Sequence, residues 1–522
     1  MRRSVLILLT ALILIPLAFS SGQQDKPIAS EKRESIHDRI VHIEKDFITE
    51  IPQVPRLCDR LDLKKQRINV GDCELYVEEE GKGTPLVLIN GGPGGTHHCF
   101  HPWFSKAKDY LRVIYYDQRG CGLSDHQPGK DGYSVDQAVA DLEAIRKALG
   151  VSKWAMLGYS YGGFLAQCYA TKFPENLAGL ILLGATPGMW VDLKRTRQYD
   201  FMSEEEQARL RQIRKELIKL AIENRLSLEK SMALVVYNNH INGDWKRQHY
   251  YRPSPEKLAQ MALYEWNFDQ KNNFRGAIGD SESKIDLTGA FDRCPIPTLI
   301  LEGQWDLTWN TDKPEVLHKN HPGSKLVMFE NAGHGIYDED SDRFFMVLKE
   351  FTQNLPRVSP SATASFKEHL ADWDRKQKAS PLYFIRSSSW GRTSMEKLAK
   401  AYRPEWCDLV SNSGSFLFLK LGVAQYEVEN YGEALAVFER MQKAAEKRQD
   451  VNDRAVALIW QGHMLDLLGK REDAIARYKQ VAEMNNTSSM AHSQYGLQYM
   501  CSPYAKERMA TPFVRVENRD KF

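Results

Sequence analysis

Short apolar runs alternate with longer amphipathic stretches between residues 66 and 186. Strands of a parallel sheet are buried on both faces and are therefore apolar throughout, whereas the helices that cover the sheet carry only an apolar stripe. The alternation predicts an α/β fold, with a mostly parallel sheet and helices packed on both faces. After a hairpin over 68–78, strands are expected at 86–90, 112–117, 154–158 and 177–184, and helices at 134–149 and 164–173.

A polar, aromatic-rich block over residues 189–285 interrupts this alternation. Ser203 and Glu206 have the spacing of a capping box, and Ser254-Pro255 is typical of another helix start. Because apolar strands resume after the block, we expect it to be a helical cap inserted into the sheet domain. The later strands are expected at 298–302 and 325–330, and the core at 61–188 and 286–355, after a linker with a loose helix at 21–60.

The C-terminal part of the chain carries a sequence repeat. The residues Gly422, Ala434 and Phe438 recur 40 positions later as Gly462, Ala474 and Tyr478. The pattern resembles the tetratricopeptide repeat, a stacked pair of helices, although chance matches in an ordinary helical hairpin would look the same. Such helices offer binding surface, which predicts a protein partner or self-association. The repeats are expected over 401–500, after a Ser- and Pro-rich linker at 356–400 and before a tail at 501–522.

Residues 1–20 have the pattern of a secretory signal. Arg2-Arg3 precede an uncharged run from Val5 to Phe19, and small residues stand at the exit, ending at Ser20. The run is shorter than the roughly 20 residues of a bilayer-spanning helix, which favours cleavage near Ser20 over an uncleaved anchor. We therefore expect the protein to be exported, to the periplasm or outside the cell.

Charge and cysteine content exclude several classes of function. The 70 basic and 68 acidic residues leave a net charge of +2, which gives no reason to expect a nucleic-acid partner. The eight cysteines include no CxxC pair, so the sequence predicts no metal site and no cofactor. Export would permit disulfides, but spacing alone does not pair these cysteines.

A glycine cluster follows the strand expected at 86–90. The stretch Asn90-Gly91-Gly92-Pro93-Gly94-Gly95 lacks the Lys-Ser/Thr of a nucleotide phosphate loop and the continuation of a dinucleotide motif. Backbone N–H groups in such a loop also suit a developing oxyanion. That second interpretation requires a nucleophile at the same edge of the sheet.

The stretch Gly158-Tyr159-Ser160-Tyr161-Gly162 provides the nucleophile. It is a G-x-S-x-G motif between a predicted strand and a predicted helix, where the turn exposes the serine hydroxyl. A serine needs a basic histidine and an orienting acid. Asp306 and His334 each follow a predicted strand, in the chain order that this fold requires. The weaker candidates are Asp312, His318, His321, Asp338 and Asp340.

Five motifs occur together in order: "GGPGG", "YYDQRGCGLSD" over 115–125, "GYSYGG", "GQWD" and "AGHG". Over residues 65–355 the chain resembles the proline iminopeptidase family of α/β-hydrolases. The resemblance implies serine hydrolysis of the bond after an N-terminal residue, often proline, beneath a helical cap. It also implies site roles: nucleophile Ser160, orienting acid Asp306, base His334, oxyanion N–H donors Gly92 and Tyr161, and structural supports Asn90, Asp117 and Arg119.

Two departures from the family pattern concern the loop and the cap. Asn90 stands where the family usually has histidine, and no Trp-x-x-Trp-Glu stretch is present to bind a substrate amine. Asn238, in "YNNH", takes the place of a second expected glutamate, which leaves Glu265 beside Trp266 as the substrate-binding candidates. The leading hypothesis is an aminopeptidase acting on peptides. The alternatives are an esterase or amidase with small acyl substrates, and an inactive binding protein that recruits partners through its repeats.

Overall fold

The computed structural model describes residues 50–126, 132–188, 203–223, 226–308, 312–411, 415–484 and 501–515. The described residues up to Asp374 form one compact unit, and those from Arg375 form a second. The predicted signal at 1–20 lies outside the described residues, as does most of the expected linker at 21–60. Within the described ranges, no helix combines the length and apolar character that a membrane crossing requires.

The first unit is built on one sheet, which in the described residues has eight strands in the order β1-β2-β4-β3-β5-β6-β7-β8. Strands β1 and β2, and β2 and β4, are antiparallel, and the other neighbours are parallel. The predicted parallel sheet is thereby confirmed. The strands are β1 Lys64–Asn69, β2 Glu74–Gly81, β3 Thr84–Ile89, β4 Leu111–Tyr116, β5 Trp154–Tyr159, β6 Leu177–Leu183, β7 Thr298–Gly303 and β8 Lys325–Phe329.

Helices accompany this sheet, and the predicted helix starts near Ser134 and Ser203 are confirmed, while the helix expected from 164 begins at Tyr161. The Ser134 hydroxyl accepts a hydrogen bond from the Gln137 amide at 3.1 Å, and Ser203 and Glu206 bond each other's amides as a capping box does. The helices are α1 Val135–Ala148, α2 Tyr161–Lys172, α3 Glu204–Ile222, α4 Leu228–Ile241, α5 Pro255–Gln260, α6 Phe274–Glu282, α7 Lys313–Asn320, α8 Ile336–Glu339, α9 Ser341–Gln353 and α10 Pro360–Ala379.

The described part of the predicted cap is mainly helical. Helices α3 to α6 lie between β6 and β7, and α5 continues into a single π-helical turn, Met261–Glu265. Ser254 accepts from the Lys257 amide, and Pro255 occupies the first helical position. The insertion thus begins and ends between two core strands, as the change in sequence pattern predicts.

An aromatic cluster on one face of the sheet packs the loop after β3 against the loop after β8. Phe100 and Phe104 follow the glycine loop, and their rings lie 6.0 and 5.6 Å from Tyr337, which follows His334. Phe104 also contacts Phe344 on α9. Each such buried side chain contributes about 1.5–3 kcal/mol, so the core holds the loops after β3 and β8 in one relative position.

The segment expected to be a linker, 356–400, is helical instead. It contains all of α10, then α11 Pro381–Ser387 and all but the last residue of α12 Arg392–Ala401. Ser380 caps α11, accepting from the Tyr383 amide at 3.1 Å, and Pro381 takes the first helical position. Ser-Pro pairs also start helices, which is why a composition rich in both residues was a poor indicator of a linker here.

The second unit is all-α in the described residues, and part of the expected tail at 501–522 is a helix. The same contact occurs in two of its hairpins: a Cβ on Gly422 would lie 2.3 Å from Phe438, and one on Gly462 would lie 2.4 Å from Tyr478. The sequence repeat is therefore a structural repeat, while its tetratricopeptide character stays a prediction. The remaining helices are α13 Trp406–Leu409, α14 Ser415–Glu427, α15 Tyr431–Lys447, α16 Val451–Leu467, α17 Arg471–Glu483 and α18 Cys501–Ala510.

Candidate active site

Ser160 occupies a strained turn between β5 and α2. Its backbone has φ +55° and ψ −120°, a region that costs a non-glycine residue about 1–3 kcal/mol. The turn is tight on both sides, since a Cβ on Gly158 would lie 2.3 Å from the Gly162 oxygen, and one on Gly162 would lie 2.2 Å from the Ile89 oxygen. These contacts explain the glycines of the motif, and the half-buried serine is held above the sheet edge.

His334 and Asp306 form a buried pair at the same edge of the sheet. His334 Nδ1 lies 2.7 Å from Asp306 Oδ2, and the other Asp306 oxygen accepts from the amide and the hydroxyl of Thr308. Because the aspartate engages Nδ1, the imidazole has Nε2 left for proton transfer. The pair therefore has the orientation that a base and its supporting acid require.

Strand order brings this pair beside the serine. The Ser160 amide donates to the Leu183 oxygen at the end of β6. The next residue, Gly184, lies against the pair, since a Cβ there would be 2.9 Å from His334 Nδ1. The ring of Tyr159, which precedes the serine, lies 4.7 Å from the His334 ring. Ser160, Asp306 and His334 thus gather where parallel strands end; their catalytic roles stay a prediction.

A buried lysine stands behind the pair. Lys313 Nζ lies 2.9 Å from Asp306 Oδ2 and 2.9 Å from Glu302 Oε2. Burial disfavours the charged form of Asp306, but His334 and Lys313 outweigh it and hold the pKa of Asp306 well below its ordinary range. Burial raises the pKa of Glu302 well above its ordinary range, although Lys313 lowers it. The site therefore keeps Asp306 ionised.

The glycine loop lies directly against the serine. A Cβ on Gly91 would be 2.9 Å from that of Ser160, and Gly92 has φ +129°, which glycine adopts without strain. Asn90 closes the loop: its side-chain amide donates to the Gly95 oxygen, and its Oδ1 accepts from Gln118 at 2.6 Å. The asparagine therefore supports the loop. The roles of Gly92 and Tyr161 as oxyanion donors stay predictions.

Asp117 and Arg119 make contacts that fit the structural roles predicted for them. Asp117 Oδ1 accepts from both the amide and the ring Nδ1 of His97 at 2.8 Å. Burial disfavours a charge on His97, but Asp117 and, more weakly, Cys58 and Glu78 raise the pKa of His97 to about 10. Arg119 donates through two nitrogens to the buried Asp141 on α1 and through two to Asp72. His97 also belongs to the two described groups of side chains that could hold a metal ion.

Of the two predicted cap residues, Glu265 reaches the site region. Its backbone oxygen would lie 3.7 Å from a Cβ on Gly95, but its carboxylate is paired with Lys257 at 3.4 Å. Lys257 also lies 3.7 Å from Asp338, which follows His334 closely in sequence. The two acids and one lysine carry one net negative charge when all are ionised, and burial raises the pKa of Asp338 to about 6, although Lys257 lowers it.

Trp266 and the other sequence candidates have different surroundings. The Arg275 guanidinium lies 5.4 Å from the Trp266 ring, and the Asn238 amide donates to the Leu234 oxygen in its own helix. Among the weaker alternatives to the triad, His318 bonds Ser324 and His321 bonds Gln167. Neither histidine forms a hydrogen bond with Asp306 in the described structure.

Sequence reasoning missed the charged residues around the triad: Glu302, Lys313 and Lys257. Glu302 had a signal, because a lone acid within an apolar strand has to be paired or neutral when buried. The two lysines had none, since each lies in a helical first turn among other charged residues. Asp338 was considered only as a rival to Asp306.

The first unit has a serine at the turn between a strand and a helix of a mostly parallel sheet, and a His–Asp pair near that serine. These features together define the α/β-hydrolase class. The model of the α/β hydrolase fold family matches residues 84–341. Among solved structures, an α/β fold family hydrolase from Bacillus anthracis aligns at 21% identity and a TM-score of 0.43, over 55% of this chain and 99% of that one.

Two named relatives identify the family within this class. The proline iminopeptidase of Saccharolobus solfataricus is 32% identical over 280 residues, which is 53% of this chain and 87% of that protein. The enzyme of that name from Thermoplasma volcanium is 29% identical over 287 residues, 52% of this chain and 90% of that protein. The chain therefore belongs to the proline iminopeptidase family of α/β-hydrolases.

Proposed function

We propose that this hydrolase is an exported serine aminopeptidase that releases N-terminal residues, proline first among them, from peptides. The observation that carries the proposal is the position of Ser160, on a strained elbow next to Tyr159, whose ring contacts that of His334. The relatives named proline iminopeptidase supply the substrate class. Export rests on the sequence pattern of residues 1–20 alone.

The proposed reaction follows from the groups present. His334 Nε2 takes the proton of Ser160 as the hydroxyl oxygen attacks the scissile carbonyl, and Asp306 stabilises the imidazolium. The N–H groups of Gly92 and Tyr161 receive the carbonyl oxygen as it becomes negative. The imidazolium then protonates the leaving amine, and water, deprotonated by His334, hydrolyses the acyl-enzyme.

A free amino terminus would be recognised by charge. The cluster of Lys257, Glu265 and Asp338 carries one net negative charge when ionised, and it lies between the glycine loop and the loop of His334. An α-ammonium group placed beside it would neutralise that charge. This would limit cleavage to the first peptide bond.

One observation favours the second candidate, an esterase or amidase with small acyl substrates. Lys257 already pairs with Glu265. The Glu265 carboxylate is therefore partly neutralised, whereas a carboxylate that binds a substrate amine would have no such partner. Such an enzyme would use the same triad and accept substrates without an amine. The third possibility, a binding protein, would use the C-terminal helices to hold a protein partner or a second copy.

A substrate panel tests these alternatives on the purified chain. An aminopeptidase turns over proline or alanine p-nitroanilide and loses that activity when the amine is acetylated. Turnover of p-nitrophenyl esters without any aminoacyl amide would favour the esterase. Failure of the native protein to react with a fluorophosphonate probe would overturn both enzyme proposals, and Ser160→Ala is the control for labelling.

A further inference from the structure

A buried group of histidine, cysteine and acidic side chains lies behind the glycine loop and takes no part in the proposed reaction. All its members are at most 8% exposed. They come from the segment before β1, from β2, from the loop after β3 and from the end of β4. The members are Cys58, Glu78, His97, His98, His101 and Asp117.

The donor atoms of this group converge. One donor atom from each of Cys58, His97 and His98 lies within 4.8 Å of the other two, and the same holds for Glu78, His97 and His101. Nε2 of His97 and Nε2 of His98 are buried and have no hydrogen-bond partner in the described structure. Buried polar nitrogens are nearly always bonded, so two unpartnered nitrogens beside a cysteine indicate a missing ligand.

Both imidazoles are held from their other side. His97 Nδ1 lies 2.8 Å from Asp117 Oδ1, and His98 Nδ1 lies 2.8 Å from the Thr96 hydroxyl. A carboxylate or another polar group on the second ring nitrogen is the usual support of a metal-bound histidine, because it sets both tautomer and orientation. In each ring, Nε2 is therefore the nitrogen available to a metal.

Charge fits a cation as well. Glu78 Oε2 lies 3.7 Å from His97 Nε2, too long for a hydrogen bond, and 3.1 Å from His101 Nε2. In the described structure, neither Glu78 nor Asp117 forms a side-chain hydrogen bond or ion pair with a lysine or an arginine. A divalent cation would take the place of the positive charge that a protonated His97 otherwise supplies to these buried carboxylates.

We propose that Cys58, His97 and His98 bind one zinc ion. Sulfur and nitrogen donors in a buried set are typical of zinc rather than of calcium or magnesium. The ion would replace the protons of His97 and Cys58 and tie the segment before β1 to the glycine loop. No two of the ligands except His97 and His98 are close in sequence, which is why cysteine spacing predicted no metal.

Metal content of the full chain tests the site. After incubation with zinc and removal of the excess, the wild-type protein should hold about one zinc per chain by mass spectrometry of the metal. Cys58→Ser and His98→Gln should bind zinc at least about tenfold more weakly. Cys73→Ser and His321→Gln are matched controls, because each changes a buried residue outside the cluster, and both should keep the metal.

Cobalt gives a second measurement that does not depend on any variant folding. The cobalt-loaded wild type should show a thiolate-to-metal charge-transfer band in the near ultraviolet, which Cys58→Ser should lose. Absence of that band in the wild type, or a zinc content well below one per chain after loading, would overturn the proposal. His97 would then be a plain imidazolium bridging Asp117 and Glu78. Zinc retained equally by both ligand variants would also overturn it.

Discussion

Lys313 Nζ lies 2.9 Å from Asp306 Oδ2, the same oxygen that accepts from the candidate catalytic histidine. The lysine is buried and also pairs with Glu302, so the acid of the proposed triad belongs to a larger charged cluster. Asp306 therefore carries its negative charge between two cations when His334 is protonated. This arrangement stabilises the ionised aspartate and leaves the cluster sensitive to the loss of any one partner.

We predict that Lys313→Met destabilises the protein by about 3–5 kcal/mol, because it removes the buried cation beside the ionised Asp306. The double variant Lys313→Met with Asp306→Asn should recover much of this loss, since the carboxylate charge is removed together with its partner. Urea unfolding of both variants measures the difference. Equal destabilisation by the single and double variants would contradict the proposed balance of charges.

The strain at Ser160 predicts a gain in stability when it is relieved. Glycine tolerates positive φ, so Ser160→Gly should be more stable than Ser160→Ala by about 1 kcal/mol. Both variants lack the hydroxyl and should have no hydrolase activity, so the comparison isolates the backbone from the chemistry. Thermal unfolding of the two proteins measures it, and an alanine variant as stable as the glycine variant would argue against a strained elbow.

Asp338 predicts a pH dependence that is specific to substrates with an amine. Burial raises its pKa to about 6, so the charge that would attract an α-ammonium is present above that pH and lost below it. The ratio of kcat/KM for proline p-nitroanilide to kcat/KM for a p-nitrophenyl ester should therefore fall between pH 7 and pH 5. The titration of the triad affects both substrates and cancels in the ratio.

Two variants check this assignment. Asp338→Asn should remove the pH dependence of the ratio, and Asp340→Asn, which changes a more exposed acid that pairs with Arg343, should leave it unchanged. A ratio that is flat with pH in the wild type would remove Asp338 from substrate recognition.

The charge of Glu265 is predicted to matter for the hydrolysis of aminoacyl amides and not for the hydrolysis of esters. Glu265→Gln keeps the shape of the side chain and removes its charge, so the KM for aminoacyl amides should rise by roughly tenfold, the effect of about 1.4 kcal/mol. Ester hydrolysis should change little. If both activities change equally, Glu265 supports the glycine loop and does not bind the amine.

Two glycines of the helical unit are predicted to respond in opposite ways when each is replaced by alanine. Gly422→Ala should destabilise that unit by about 1–3 kcal/mol, because the added methyl group would lie 2.3 Å from Phe438. Gly432→Ala should be neutral or stabilising by about 0.5–1 kcal/mol, because nothing lies within 4 Å of its added methyl group and alanine favours the helix. Circular dichroism during thermal unfolding distinguishes them.

Local signals account for the parts of the fold that were predicted correctly. Runs such as 177–184 are apolar because both faces of the sheet are covered, and Ser134, Ser203 and Ser254 stand at helix starts because their hydroxyls bond free amides. The segment 356–400 was predicted wrongly for a local reason too, since Ser and Pro occur in both linkers and helix starts. Its helices are set by the packing of apolar residues such as Met395 and Leu398, which are fully buried.

The sequence by itself determined the class of fold, the cap insertion, the serine motif and the order of the candidate triad, because each follows from local patterns and from their order along the chain. Only the tertiary structure decided which charges meet: Lys313 with Asp306, Lys257 with Glu265, and Cys58 with His97 and His98. Cys58 lies far from His97 and His98 along the chain, and even the nearer partners are brought together only by the path that the chain takes between them. Burial then decides which charges must be paired, and the local sequence signals this only where a lone acid such as Glu302 interrupts an apolar strand.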